Sequence, residues 1–148
     1  MSTTRTRIGH VHLKVRDLER SVDFYRRTLG LEVTERAGHG FAFLSGGDAH
    51  HELALQEVGD GAEAAPRRSV GLYHTAWEVA DREAFAEARE ALAEAGVSAQ
   101  AVDHGISWAL YFRDPDDQGV EIYLDRRDAP DGTERWRGRT RPLHEPRS

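Results

Sequence analysis

The sequence predicts an α+β fold built from two tandem βαβββ modules, on three observations. Short stretches alternate apolar and polar residues with a strand's period of two. Two longer stretches carry helical spacing behind an aspartate. The order of these pieces occurs twice.

In the first module, residues 7–15 (RIGHVHLKV) place Val11, Leu13 and Val15 on one face and His10, His12 and Lys14 on the other, as in a half-buried strand. Asp17 caps a predicted helix whose apolar positions Leu18, Val22, Phe24, Tyr25 and Leu29 lie near helical spacing, and Gly30 ends it. Three short strands are expected next, at 31–35, 40–45 and 50–56, with glycine-bearing turns between them. The module spans about 7–56, and the polar stretch 57–70 reads as a linker.

The second module spans about 71–124. Residues 71–79 (GLYHTAWEV) predict a strand, Asp81 caps a helix running to about Ala95, and strands are expected at 100–103, 107–113 and 119–124. An offset of 64 superposes His10 on His74 and Asp17 on Asp81. At the far end an offset of 69 superposes ELAL at 52–55 on EIYL at 121–124. Residues 125–148 read as a polar C-terminal tail, mobile or loosely docked, with a lid or a dimer-clasping arm as the lesser reading.

Composition narrows the chemistry. A chain of 148 residues fits a single domain, and a net charge of −6 gives no reason to expect nucleic acid or an anionic membrane surface as partner. The N-terminus has no apolar run of signal-peptide length and no segment is long enough to span a bilayer, so a cytoplasmic protein is expected. With no cysteine, a metal would have to be held by nitrogen and oxygen. His10, His74 and Glu121 stand at inward-facing positions of three predicted strands and spell the two-histidine, one-carboxylate set that holds divalent iron with coordination positions left open. In the second module, Trp108, Leu110 and Phe112 form an apolar face with Val120, Ile122 and Leu124, whereas His74, Glu78, Tyr111, Glu121 and Tyr123 belong to a polar face that must line water or a cavity.

The segments IGHVHLKVRDLERSVDFY, HHELAL, GLYHTAWEV and DHGISWALYFRDPDDQGVEIY carry a family resemblance over residues 7 to about 125. The chain resembles the vicinal oxygen chelate superfamily (glyoxalase, bleomycin resistance and dioxygenase proteins), and within it the type I extradiol catechol dioxygenases. The closing segment, a His followed by Gly-x-Ser, then Tyr-Phe, Asp-Pro and a Glu, is the most specific part. The resemblance implies a cup-shaped mixed sheet with helices outside, Fe(II) or alternatively Mn(II) on His10, His74 and Glu121, and His51, His104 and Tyr111 around the substrate. It also implies a small catecholic substrate, dioxygen as co-substrate and a homodimer. Strict alternation sets His51 with Leu53 and Leu55 on the helix side and His50 with Glu52, so either residue remains open as the one facing the site. The turn 114–119 departs from the usual sequence of such enzymes, and the chain has one pair of modules where many of them have two.

Two alternatives remain. The repeat sets Glu52 on Glu121, so His10, Glu52, His74 and Glu121 could surround Ni(II) or Zn(II) in an isomerase resembling glyoxalase I. A metal-free binding protein resembling the bleomycin-resistance proteins is the other. His104 and Tyr111 have no evident use in the isomerase, and the binding protein gives no reason to retain all three ligand types.

Overall fold

The computed structural model describes residues 4–144; the first three residues of the N-terminal stretch and the last four of the expected tail, 145–148, lie outside them. The chain forms two compact units that divide between Ala65 and Pro66.

In the first unit the order is β1 (Val11–Val15), α1 (Leu18–Leu29), β2 (Glu32–Ala37), β3 (Phe41–Ser45) and β4 (Leu53–Glu57). Asp17 begins α1 as expected: its carboxylate accepts the Arg20 N–H, satisfying a donor that has no partner within the helix. Gly30 ends the helix in the left-handed region at φ 68°, a conformation that costs a residue without Cβ little. Leu18, Val22 and Tyr25 form its buried stripe. The strand order is β1-β4-β3-β2, with β1 parallel to β4 and the other pairs antiparallel. Leu13, Val15, Leu44, Leu53 and Leu55 are buried in the core of this unit.

The second unit repeats the plan with β5 (His74–Val79), α2 (Arg82–Glu94), β6 (Gln100–Asp103), β7 (Ser107–Arg113) and β8 (Gly119–Asp125). Asp81 caps α2 by accepting the Ala84 N–H. The order β5-β8-β7-β6 matches that of the first unit, strand for strand. Phe85 of α2 meets Trp108 edge to face, so Trp108, Leu110 and Phe112 form the helix side of β7. Tyr111 and Glu121, paired across β7 and β8, therefore share the opposite face.

Two local expectations change. The strand expected over 50–56 begins only at Leu53, because residues 46–50 form bends and a bent segment has no fixed alternation. The C-terminal stretch is docked rather than loose through residue 144. Arg126 is buried, pairs with Asp131 and stacks on Trp108, and a further two-residue strand, β9 (Arg141–Pro142), adds to the β6 edge.

Candidate metal centre

In the second unit, the inner strand β8 places Glu121 between Ala76 of β5 and Tyr111 of β7. The residue is only 9% exposed, and a carboxylate so enclosed is costly unless paired. Its partner is His74, at the first position of β5, with Nε2 3.0 Å from Glu121 Oε2. Gly119 makes this approach possible. It lies opposite His74 in the ladder, and a Cβ there would fall 2.5 Å from the Tyr73 carbonyl oxygen and 3.0 Å from His74 Cβ.

Tyr111 completes the arrangement. Its ring lies 5.9 Å from that of His74, and its hydroxyl is 2.8 Å from His104 Nε2. Burial, then the negative charge of Glu121 and a hydrogen bond to it, push the Tyr111 pKa up to about 12. The phenol therefore stays protonated across the ordinary pH range and has one proton to donate. His104 stands in the β6–β7 turn, where its main-chain N–H donates to the Ser107 carbonyl and its Nδ1 lies 3.1 Å from the Arg139 carbonyl oxygen. Further along the same face the Tyr123 hydroxyl donates to Glu78, and burial followed by the Glu78 charge raises its pKa.

The first unit holds the other expected residues. His10 and His51 have ring centroids 4.5 Å apart, beside a hollow of about 450 Å³ that Arg7, His50 and Glu52 also line. The bend before β4 turns His51 toward His10, whereas His50 reaches Glu35 at 3.3 Å. Partial desolvation, then the neighbouring His10 and His50, lower the His51 pKa, which favours the neutral ring. The two Nδ1 atoms of His50 and His51 are 2.8 Å apart, so one ring donates and the other accepts.

The ladder register alters the standing of Glu52. Val11 pairs with Leu53 in the first unit, and its counterpart Thr75 pairs with Val120 in the second, an offset along the last strand of 67 (120 − 53) rather than 69. By this register Ala54, beside His12, is the counterpart of Glu121, beside Ala76. The repeat thus gives no structural support to Glu52 as a fourth ligand; its carboxylate accepts the Gly46 N–H at 3.3 Å.

As a metal site the second unit offers two donors in suitable positions. Ligand atoms held about 2.1 Å from an ion at right angles to each other are about 3.0 Å apart, the separation found between His74 and Glu121. An imidazole nitrogen and a carboxylate oxygen suit iron, manganese, nickel or zinc. Among the described residues, no group of three His, Asp or Glu side chains is arranged to hold an ion. His10 belongs to the first unit. A larger cavity, about 730 Å³, lies between α2, Trp108 and Leu143 on the helix side of the second sheet, away from His74 and Glu121. Sequence reasoning missed Gly119, Asp103 and Arg139. Only Gly119 had a usable signal, as a glycine immediately before an alternating strand.

Paired βαβββ units with a histidine on the first strand of the second unit and a glutamate on its last define a protein class often built around a metal. Residues 7–122 match the family described as the glyoxalase/bleomycin resistance protein/dioxygenase superfamily, and the chain belongs to it. It is 38% identical over 122 residues to the catechol-2,3-dioxygenase of Bacillus subtilis, an alignment covering 82% of this chain and 42% of that protein. Biphenyl-2,3-diol 1,2-dioxygenase 2 of Rhodococcus globerulus is 28% identical over 130 residues, covering 87% and 68%. The glutathione transferase FosA of Serratia marcescens is 31% identical over 117 residues, 79% of each protein. A solved domain of the same superfamily from Frankia sp. EAN1pec superposes with a TM-score of 0.70 at 28% identity, covering 83% of this chain and all of that one. The chain thus spans less than half of the Bacillus relative and about two thirds of the Rhodococcus one.

Proposed function

We propose that the protein is an Fe(II)-dependent extradiol dioxygenase that opens the ring of a small catecholic compound, with His10, His74 and Glu121 as ligands and Mn(II) as the alternative metal. The observation that carries this reading is the 2.8 Å contact between His104 and Tyr111 on the sheet face that presents His74 and Glu121. A hydrolytic or isomerising site built on the same ligands has no evident need of it. Bound divalent iron would supply the electron path between a chelated diol and dioxygen.

The chain's own residues would manage protons and orientation. The Tyr111 hydroxyl, held protonated by its surroundings, can offer a hydrogen bond to a substrate oxygen. His104 Nε2, joined to it, can receive a proton relayed through the phenol. His51 is the proposed proton donor of the first unit. Its lowered pKa makes the protonated ring a readier proton donor than a free imidazolium. The functional protein is proposed to be a homodimer.

The relatives named as dioxygenases support this reading. The FosA relative favours a second, a metal-dependent glutathione transfer, because the alignment covers the same large share of both chains. Anaerobic purification with metal quantification, followed by oxygen uptake on a catechol panel and a glutathione-consumption assay with a panel of electrophilic acceptors such as epoxides, separates the two. Stoichiometric iron or manganese with oxygen consumption and a yellow ring-opened product is expected. Glutathione consumption without oxygen uptake would replace the proposal with the second reading.

A further inference from the structure

The His104–Tyr111 pair is held from outside the repeat, by the C-terminal segment that the sequence presents as a polar tail. Residues 133–143 run along the β6 edge and are fastened at both ends. Thr133 N–H donates to the Gly105 carbonyl, Asp103 and Val102 pair with Arg141 and Pro142 of β9, and Leu143 N–H donates to Ala101. Between these anchors the Arg139 guanidinium reaches Asp103 at 2.5 Å, with the two side chains 32% and 18% exposed. The Arg139 Nε is buried without a hydrogen-bond partner, so the carboxylate contact rather than solvent fixes this side chain. The carbonyl of the same residue faces His104 Nδ1 and also accepts the Trp136 indole N–H at 3.3 Å.

Two groups of the segment face His104 Nδ1, the Arg139 carbonyl at 3.1 Å and the Thr140 hydroxyl at 3.3 Å; a carbonyl oxygen only accepts, so the shorter contact is made when this nitrogen carries the proton. In the neutral ring Nε2 then has a lone pair, and it is directed at the Tyr111 hydroxyl. Tyr111 has one proton and two acceptors within reach, His104 Nε2 and Glu121. With the other tautomer, Nε2–H would donate to the phenol, and the phenol proton would be left to Glu121.

We propose that the C-terminal segment is a positioning strap and Arg139 a positioning residue: by clamping Asp103 and presenting its carbonyl to Nδ1, it fixes the His104 tautomer and so directs the Tyr111 proton toward His104 rather than Glu121. This rests on the reading of His104 and Tyr111 as working groups, but its first test requires no turnover.

The test is ring-nitrogen NMR of the metal-free, ¹⁵N-labelled full chain at a pH where His104 is neutral. Wild type is expected to show His104 with Nδ1 protonated and Nε2 bare. Arg139→Ala should convert it to the Nε2–H form or an exchanging mixture, and Arg139→Lys, which keeps a cation for Asp103, should restore the wild-type pattern. In the metal-loaded enzyme, Arg139→Ala should lower kcat roughly 10- to 100-fold with KM and metal content unchanged. Should Arg139→Ala fail to fold, Asp103→Asn removes the clamp with little change of shape and should give the same loss of signature. A wild-type His104 with Nε2 protonated, or a folded Arg139→Ala or Asp103→Asn variant that keeps the Nδ1–H pattern, overturns the strap. A wild type that consumes no oxygen refutes the proposed reaction instead, and the tautomer signals still decide the strap.

Discussion

Gly119→Ala tests how the site is built, because the added methyl group would lie against the backbone that carries a proposed ligand. Its Cβ would fall 2.5 Å from the Tyr73 carbonyl oxygen and 3.0 Å from His74 Cβ, where real Cβ atoms essentially never approach within 3.0 Å. Backbone cannot swing aside as a side-chain end can, so β5 must retreat from β8 by at least 0.5 Å (3.0 − 2.5). His74 moves with it, and its 3.0 Å contact with Glu121 opens toward the limit of a hydrogen bond. Overpacking of this kind costs about 1–3 kcal/mol, which at a typical urea dependence lowers the denaturation midpoint by roughly 1 M. Metal affinity should fall about 10- to 100-fold, as for a displaced ligand. Urea titration followed by tryptophan fluorescence and competition with a coloured chelator read the two effects. Gly61→Ala, where a Cβ meets nothing within 4 Å, is the control and should change stability by less than about 0.5 kcal/mol. A Gly119→Ala protein with the wild-type midpoint and metal affinity would refute the claim that this close approach sets the His74–Glu121 geometry.

The donor pair makes a second prediction: His74→Ala and Glu121→Ala should each purify without metal and without turnover, whereas Tyr111→Phe should keep its metal and turn over slowly, as metal analysis and oxygen uptake would show. In the metal-free chain Tyr111 should be a late-titrating phenol with a midpoint of about 12, absent from the ultraviolet titration of Tyr111→Phe. Because that pKa is raised above the unfolded value of 10.0, its contribution to stability is complete below pH 10 and is lost as pH rises from 10 toward 12. His51 has the opposite sign. Its folded pKa lies below 6.5, so its contribution is present above pH 6.5 and is lost as pH falls below that value. Proton NMR should find its midpoint below 6.5, and His10→Ala should move it upward by removing one of the neighbours that depress it.

The parts of the fold governed by local patterns were legible. Asp17 and Asp81 announce both helices, and the helix ends expected at Gly30 and about Ala95 agree with α1 and α2 to within a residue. Alternation along 107–113 and 119–124 also placed Tyr111 and Glu121 together on the face opposite Trp108, as the ladder has them. What failed was pattern extended past its physical basis. Strict alternation would set His51 on the helix side and so leaves open whether His50 or His51 faces the site, but β4 starts at Leu53 and the bend before it obeys no period. Glu52 was matched to Glu121 by likeness of motif, whereas pairing distances depend on loop lengths, which differ between the two halves. The docked C-terminal segment was illegible for a different reason. A two-residue strand carries no periodicity, and its fastening depends on Asp103 and Arg139, 36 residues apart in the sequence.

The same register explains why two copies of one plan make unequal contributions. In β4, Leu53, Ala54 and Leu55 are all buried, so both faces of that strand are closed by apolar packing, and Ala54 fills the place that corresponds to Glu121. A carboxylate at Ala54 would lie in that packing with His12 beside it in the ladder, and His12 is already engaged with Gln56 at 3.0 Å. The cost of burying an unpaired charge therefore opposes a second acidic donor in the first unit. In β8 the buried carboxylate is tolerable because His74, approaching over Gly119, lies 3.0 Å from it and Tyr111 stands beside it across the ladder. In the first unit His10 and His51 stand in chain segments just before β1 and β4, with ring centroids 4.5 Å apart. The presence of a carboxylate at this register position in the second unit alone thus follows from where each half of the repeat can bury a charge.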